Sequence, residues 1–178
     1  MKILLVVDVQ HDFVDGALGS AEAQAAIPYI RDKVDAAVEE GNTLIVYTRD
    51  THFNDYMDSD EGKFLPVPHC IRNTPGWQIM EEVDVGGVKL DKLTFGLKDI
   101  DEYIEQALPN VDDTVTSIEI VGFCTDICVI SNALLLKAAY ATRGVPIFVD
   151  AKGCAGVTPE KHAAALEVMK SCQIIVKE

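Results

Sequence analysis

Six short apolar runs rich in Val and Ile punctuate the chain: Ile3 to Val7, Thr43 to Tyr47, Gly87 to Leu90, Ile118 to Val121, Val145 to Val149 and Ile174 to Val176. Apolar positions within each run are continuous rather than alternating, which is how strands read when both faces are covered, as in a parallel sheet. Between the runs lie segments with helical spacing, Ala25 to Glu40, Asp99 to Gln106, Ile127 to Thr142 and Pro159 to Ser171. Thr158 places a capping side chain ahead of a proline suited to the first helical turn. The order β, α, β, then β, α, β, α, β, α, β predicts a three-layer α/β/α sandwich with a mostly parallel, doubly wound six-stranded sheet. Such sheets bind ligands at the carboxyl ends of their strands, so chemistry is expected just after each run. The segment Asp50 to Val85 breaks the alternation with Gly62, Pro66, Pro68, Pro75, Gly76 and little periodicity. A loop of that length in a compact domain is usually functional.

Composition narrows the field. The 178 residues, 48% of them hydrophobic, suffice for a single domain over residues 1–178 with one buried core. Fifteen basic against 29 acidic residues give a formal charge of −14, which repels phosphate backbones and anionic membranes; neither nucleic acid nor lipid is expected as a partner. Met1 to Val9 is apolar but too short, and too soon interrupted by Asp8, for a secretion signal. No stretch reaches the roughly 20 apolar residues of a membrane helix. Five cysteines, Cys70, Cys124, Cys128, Cys154 and Cys172, are an odd number in a core-forming chain. They argue for free thiols in a reducing compartment, and a cytoplasmic location is the expectation.

The strand ends carry the candidate chemistry. The first run ends in Asp8, then Val9-Gln10-His11-Asp12-Phe13 and the turn Asp15-Gly16. A lone aspartate there reads as a cap or turn carboxylate. The fourth run gives way to Cys124-Thr125-Asp126-Ile127-Cys128-Val129, where a long apolar helix starts. A cysteine in the first turn of a helix sees oriented N–H groups and the positive end of the dipole, which favour the thiolate. Thr125 and Asp126 are the candidates to cap that helix. Taken alone, Cys124 and Cys128 read as small core hydrophobes. The third run delivers Lys92, by default a solvated charge. Yet Asp8, Lys92 and Cys128 all follow parallel strands, so the fold would bring an acid, a cation and a thiol to one edge. An acid can take the thiol proton, a cation can hold the thiolate, and backbone N–H groups can receive charge on an attacked carbonyl.

Asp8-Val-Gln-His-Asp-Phe13 resembles the opening motif of the isochorismatase-like hydrolases, Lys92 their central lysine, and Gly122-Phe-Cys-Thr-Asp-Ile-Cys128-Val their nucleophile signature. Val149-Asp150-Ala151 and the helix with His162, Ala165 and Met169 resemble the family's final strand and helix, so the similarity spans nearly the whole chain. The resemblance implies a triad of Asp8, Lys92 and Cys128, a cis peptide between Phe123 and Cys124, and an oxyanion hole from the N–H groups of Cys124 and Cys128. It also implies a small amide substrate, and most relatives assemble as homo-oligomers.

Asp50 and His52 follow the second run and project to one side of an extended segment; His69 lies further on, in Pro66-Val67-Pro68-His69. A carboxylate and two imidazoles suit zinc, iron or manganese. The nicotinamidases of this superfamily place a metal beside the triad with such an Asp-x-His pair and a later His, so the resemblance implies a divalent metal, zinc first. No histidine stands between His52 and His69, and Glu61 resembles the glutamate some members use instead, with Asp55, Asp58 and Asp60 as competing donors. Val67 is inserted relative to that variant. Phe13, Phe95 and one of Phe64 or Leu65 match the positions whose aromatic residues clamp the ring in the family, with simple packing as their alternative role; Leu18 is expected to line the pocket mouth. The implied activity is nicotinamidase-like conversion of a small primary amide to acid and ammonia through a cysteine thioester, within pyridine nucleotide metabolism. The rivals are hydrolysis of isochorismate, biuret, an N-carbamoyl compound or a ureido acid, and an idle binding module.

Overall fold

A computed structural model describes residues 1–178. Six strands form one sheet, in the order β3-β2-β1-β4-β5-β6. They are β1 Lys2–Val7, β2 Thr43–Asp50, β3 Val88–Lys92, β4 Ser117–Phe123, β5 Ile147–Ala155 and β6 Ile175–Lys177. Every pairing is parallel. The helices are α1 His11–Val14, α2 Ala21–Glu40, α3 Asp60–Phe64, α4 Ile100–Gln106, α5 Ile130–Tyr140 and α6 Pro159–Ser171. Alternate residues of β1 face opposite layers. Ile3, Leu5 and Val7 join Ile104, Leu136 and Met169 on one side, while Leu4 and Val6 join Ile27, Ile30 and Val34 on the other. Burial on both faces is why β1 carries no polar residue after Lys2. No helix is long and apolar enough to cross a membrane.

The chain winds outward from β1 through β2 to β3, then returns to lay β4 on the other side of β1. The order therefore reverses between β1 and β4, and the crevice outside their carboxyl ends is where a doubly wound sheet takes ligands. At that crevice Gly122 has φ 124, and a β-carbon there would stand 2.0 Å from the Val7 carbonyl oxygen. Only glycine lets β1 and β4 run so close.

Several element bounds differ from those read in the pattern. Helix α2 starts at Ala21, because the Ser20 hydroxyl accepts from Ala23 N–H and caps it. Pro28 sits inside it, sacrificing one rung of the ladder. Strand β5 continues to Ala155 across an irregularity, Ile120 pairing with Val149 but Gly122 with Cys154. The long loop holds α3 and single turns at Tyr56–Asp58 and Pro75–Trp77, pieces too short to display a period. The helix after β4 begins as a π-turn over Thr125–Val129, with no side-chain cap. Neither Thr125 nor Asp126 caps it: Thr125 Oγ1 meets His162 Nδ1 at 2.8 Å, and Asp126 Oδ1 accepts from Val157 N–H at 2.9 Å. Both tie the turn to the start of α6. Thr158 does cap α6, accepting from Lys161 N–H.

Candidate active site and metal cluster

Strand ends deliver the three candidate catalytic side chains to one point. Asp8 leaves β1 with φ 49, turning the chain off the sheet. Lys92 is the last residue of β3, and Cys128 lies in the π-turn after β4. Lys92 Nζ stands 2.7 Å from Asp8 Oδ2 and donates to Cys128 Sγ at 3.4 Å. Thr48 donates its hydroxyl to Asp8 Oδ1 at 2.7 Å, which fixes the carboxylate from the β2 side. Asp8, Lys92 and Cys128 are 0%, 1% and 4% exposed, so their charges act on one another with little water between them.

Burial pushes the Cys128 thiol well above the usual cysteine value, and the Asp8 charge adds to it, against the pull of Lys92. Burial likewise raises the Asp8 carboxyl, opposed by Lys92. Burial works against the Lys92 ammonium, but Asp8, Cys128 and Asp50 outweigh it and hold the proton on nitrogen. Desolvation of the buried sulfur therefore works against the thiolate, and the Lys92 ammonium works for it.

Beside this trio Asp50, His52, Glu61 and His69 converge, each offering one ligand atom, all within 4.8 Å of one another. His52 Nε2 is buried with no hydrogen-bond partner, though Asp50 Oδ2 lies at 2.8 Å and Glu61 Oε2 at 3.7 Å. His69 Nε2 is 3.4 Å from Asp50 Oδ2 and 3.5 Å from Glu61 Oε1. The His69 ring is turned by its other nitrogen, Nδ1, which lies 2.8 Å from the Val67 carbonyl. An orphaned imidazole nitrogen, a second imidazole oriented from behind and two carboxylates fit a divalent cation. Asp55, Asp58 and Asp60 are exposed and stand outside the cluster. Asp50 joins the two groups: Oδ1 accepts from Lys92 at 3.2 Å while Oδ2 faces the imidazoles.

A cavity of about 970 Å³ opens over both groups, with Asp50, His52, Glu61, His69, Cys124 and Cys128 in its lining. Asp8 and Lys92 lie behind that surface. Phe13, Leu18, Phe64, Leu65 and Phe95 also line it. Phe13 is buried and meets His69 edge-on, ring centroids 5.5 Å apart, whereas Phe64, 92% exposed, stands at the rim. The Phe123–Cys124 peptide at the cavity wall is cis, and burial raises the Cys124 thiol to about 12.

The family model for the isochorismatase domain matches residues 2–177. The chain belongs to the isochorismatase family. Among proteins of this family it is 28% identical to the nicotinamidase/pyrazinamidase of Mycobacterium tuberculosis, over 98% of this chain and 97% of that protein. Its fold is similar to the pyrazinamidase of Pyrococcus horikoshii solved in complex with zinc, with TM-score 0.81, 28% identity, and 99% and 98% of the two chains covered. The pyrazinamidase/nicotinamidase of Streptococcus mutans gives TM-score 0.79 at 26% identity, with 99% of each chain covered.

Three further side chains shape this isochorismatase-family site and carried no role in the sequence reading. Gln10 Nε2 donates to the Asp50 and Trp77 carbonyls at 2.9 and 2.8 Å, and Gln10 Oε1 accepts from Asp50 N–H at 2.7 Å. Strand β1 has already turned away at Asp8, so the side-chain amide stands in for the missing strand and holds both backbone groups of Asp50. Tyr56 packs edge-on against His52 and His69 at 4.7 and 5.1 Å, with its hydroxyl donating to the Leu65 carbonyl. Thr48 is the third, through its bond to Asp8. The signal for Gln10 was present, since it lies within the opening motif; Thr48 gave none because Asp8 is 40 residues away, and Tyr56 gave none because it sits in a single turn too short to show a period.

Proposed function

We propose that this chain hydrolyses a small primary amide, nicotinamide first, to the acid and ammonia through a thioester on Cys128. The observation that carries the reading is the contact of Asp8, Lys92 and Cys128 at the base of a cavity that also holds the Asp50, His52, Glu61 and His69 cluster. Asp8 takes the thiol proton, and the Cys128 sulfur attacks the amide carbon while the Lys92 ammonium stabilises the negative charge. The N–H groups of Cys124 and Cys128 receive the oxyanion. Asp8 returns the proton to nitrogen as the C–N bond breaks, and ammonia leaves. Water then gives a proton to Asp8 and adds to the thioester carbon. The C–S bond breaks, the acid departs, and the proton returns to Cys128.

Asp50, His52, Glu61 and His69 would hold a divalent metal, zinc first among the ions this donor set suits, and such an ion supplies a Lewis-acidic site for a heteroaromatic nitrogen. Phe13 and Phe95 would flank the ring, with Leu18, Phe64 and Leu65 toward the mouth. The metal cluster also separates this reading from the rivals within the family, since an isochorismate or ureido substrate has no ring nitrogen to engage it. Ammonia release from nicotinamide, pyrazinamide and a ureido acid tests the proposal. Turnover of both heteroaryl amides is expected; turnover of the ureido acid alone would overturn it.

A further inference from the structure

Between β3 and α4 the segment Leu93 to Leu97 forms neither strand nor helix, yet it supplies Leu93, Thr94 and Phe95 to the cavity wall. Backbone groups without a ladder need other partners; the Thr94 hydroxyl donates to the Gly96 carbonyl at 2.8 Å, and a side chain from another element provides the rest of the anchoring. Asn132, in the first turn of α5 and 0% exposed, donates through Nδ2 to the Phe95 carbonyl at 3.2 Å and to the Cys128 carbonyl at 2.8 Å. Its Oδ1 accepts from Leu97 N–H at 2.9 Å. A second, independent feature seats the same segment on the same helix: a β-carbon on Gly96 would stand 2.8 Å from Leu135 Cδ1 and 3.2 Å from Ser131 Cβ. The segment is packed closely on α5, with the end of the Leu135 side chain free to shift and the Ser131 β-carbon the tighter limit.

We infer that Asn132 is a positioning residue that sets where the Phe95 wall stands relative to the Cys128 turn, and through that wall determines how firmly the substrate ring is held. One planar amide reads the turn that carries the nucleophile and the segment that carries the wall, so the two keep register. The link to substrate rests on the amidase reading above. Asn132 touches neither the reacting atoms nor the metal cluster, so its loss acts on ring binding more than on chemistry. In kinetic terms that is a rise in KM with kcat little changed.

The test compares wild type, Asn132→Leu, Gly96→Ala, Phe95→Ala and the Asn132→Leu/Phe95→Ala double variant. Asn132→Leu removes the hydrogen bonds at similar size; Gly96→Ala crowds the segment against Ser131 and Leu135 without touching Asn132 and serves if the first variant fails to fold. Amide hydrogen exchange of the peptide spanning residues 93–98 should quicken in both variants, with β1 and β4 unchanged. KM for nicotinamide should rise about tenfold with kcat within about threefold, and Cys128 alkylation by a small neutral reagent should keep its rate. Because Asn132 acts through Phe95, the double variant should cost no more in KM than Phe95→Ala alone. Unchanged exchange in both variants overturns the inference whatever the substrate, as do equal losses in kcat and in alkylation. A looser segment with unchanged KM overturns the link to binding. If wild type releases no ammonia from nicotinamide, the amidase reading falls instead, and the exchange data alone decide whether Asn132 holds the wall.

Discussion

The two halves of the site are held in different ways. Asp8, Lys92 and Cys128 hang from the ends of β1, β3 and β4, inside a paired sheet, and their positions follow from strand register. The metal cluster is mixed. Asp50 and His52 come from the end of β2, but Glu61 and His69 come from a loop, joined to that end by a single parallel bridge in which His52 N–H donates to the Cys70 carbonyl and Arg72 N–H to the His52 carbonyl, and otherwise fastened by Tyr56 against the imidazoles, the Val67 carbonyl behind His69, and Asp12 Oδ2 accepting from Cys70 N–H at 2.7 Å. A sheet presets chemistry; a loop leaves ligand geometry open to whatever fills it.

The comparison can be broken most forcefully at the trio. Asp8→Asn and Lys92→Ala should each remove most of the turnover, on the order of 10³-fold, and the double variant should cost little more, because the residues serve one proton transfer. Removing one partner of a buried ion pair also destabilises, by about 3 to 5 kcal/mol, so thermal unfolding must be followed beside activity. Losses that simply multiply would show that the two residues act independently. Metal content should survive in Asp8→Asn, since its carboxylate is not a donor to the cluster.

The loop half predicts the opposite pattern. His52→Ala and Glu61→Ala should lose metal to a mild chelator by more than the roughly 10- to 100-fold that loss of an outer-shell partner costs, while Cys128 keeps its alkylation rate. Asp55→Ala should hold metal as wild type does, because Asp55 is exposed and outside the cluster. If Asp55→Ala releases metal and Glu61→Ala keeps it, the donor has been misplaced.

A smaller effect sharpens the boundary between the halves. Gln10→Leu leaves the Asp50 N–H and carbonyl unsatisfied while keeping the volume, at roughly 1 to 3 kcal/mol. Metal affinity should fall by about tenfold with the unfolding transition still cooperative. Unchanged affinity would mean that the Asp50 backbone is fixed by its β3 pairing with Lys92 alone.

What could be read in the sequence divides along the same line. Continuous apolar runs placed the strands and their parallel order, and strand ends in a doubly wound sheet converge, so the meeting of Asp8, Lys92 and Cys128 followed from pattern and topology. The extension of β5 past Val149 did not, because Asp150-Ala151-Lys152-Gly153 carries no apolar run. The caps expected from Thr125 and Asp126 failed for a tertiary reason: both side chains found partners on or just before α6. Glu61 was chosen among four acids by its resemblance and by its nearness to the Phe64–Pro68 segment. What brings its carboxylate inward is α3, capped by the Ser59 hydroxyl accepting from Gly62 N–H, a helix of five residues that no periodicity reveals. Gln10 lies within the opening motif, but its partners, like the Phe95 and Leu97 backbone groups that Asn132 holds, are more than thirty residues away, and an amide's partners are invisible until the chain is folded.

The central claim is that Cys128 is the nucleophile, and ammonia release by Cys128→Ala beside wild type and Cys172→Ala tests it most directly. Cys172 is exposed and outside the cavity lining. The account predicts that Cys128→Ala folds, retains its metal and loses turnover by about 10³-fold or more, while Cys172→Ala matches wild type. Turnover in Cys128→Ala within about tenfold of wild type would contradict a covalent mechanism.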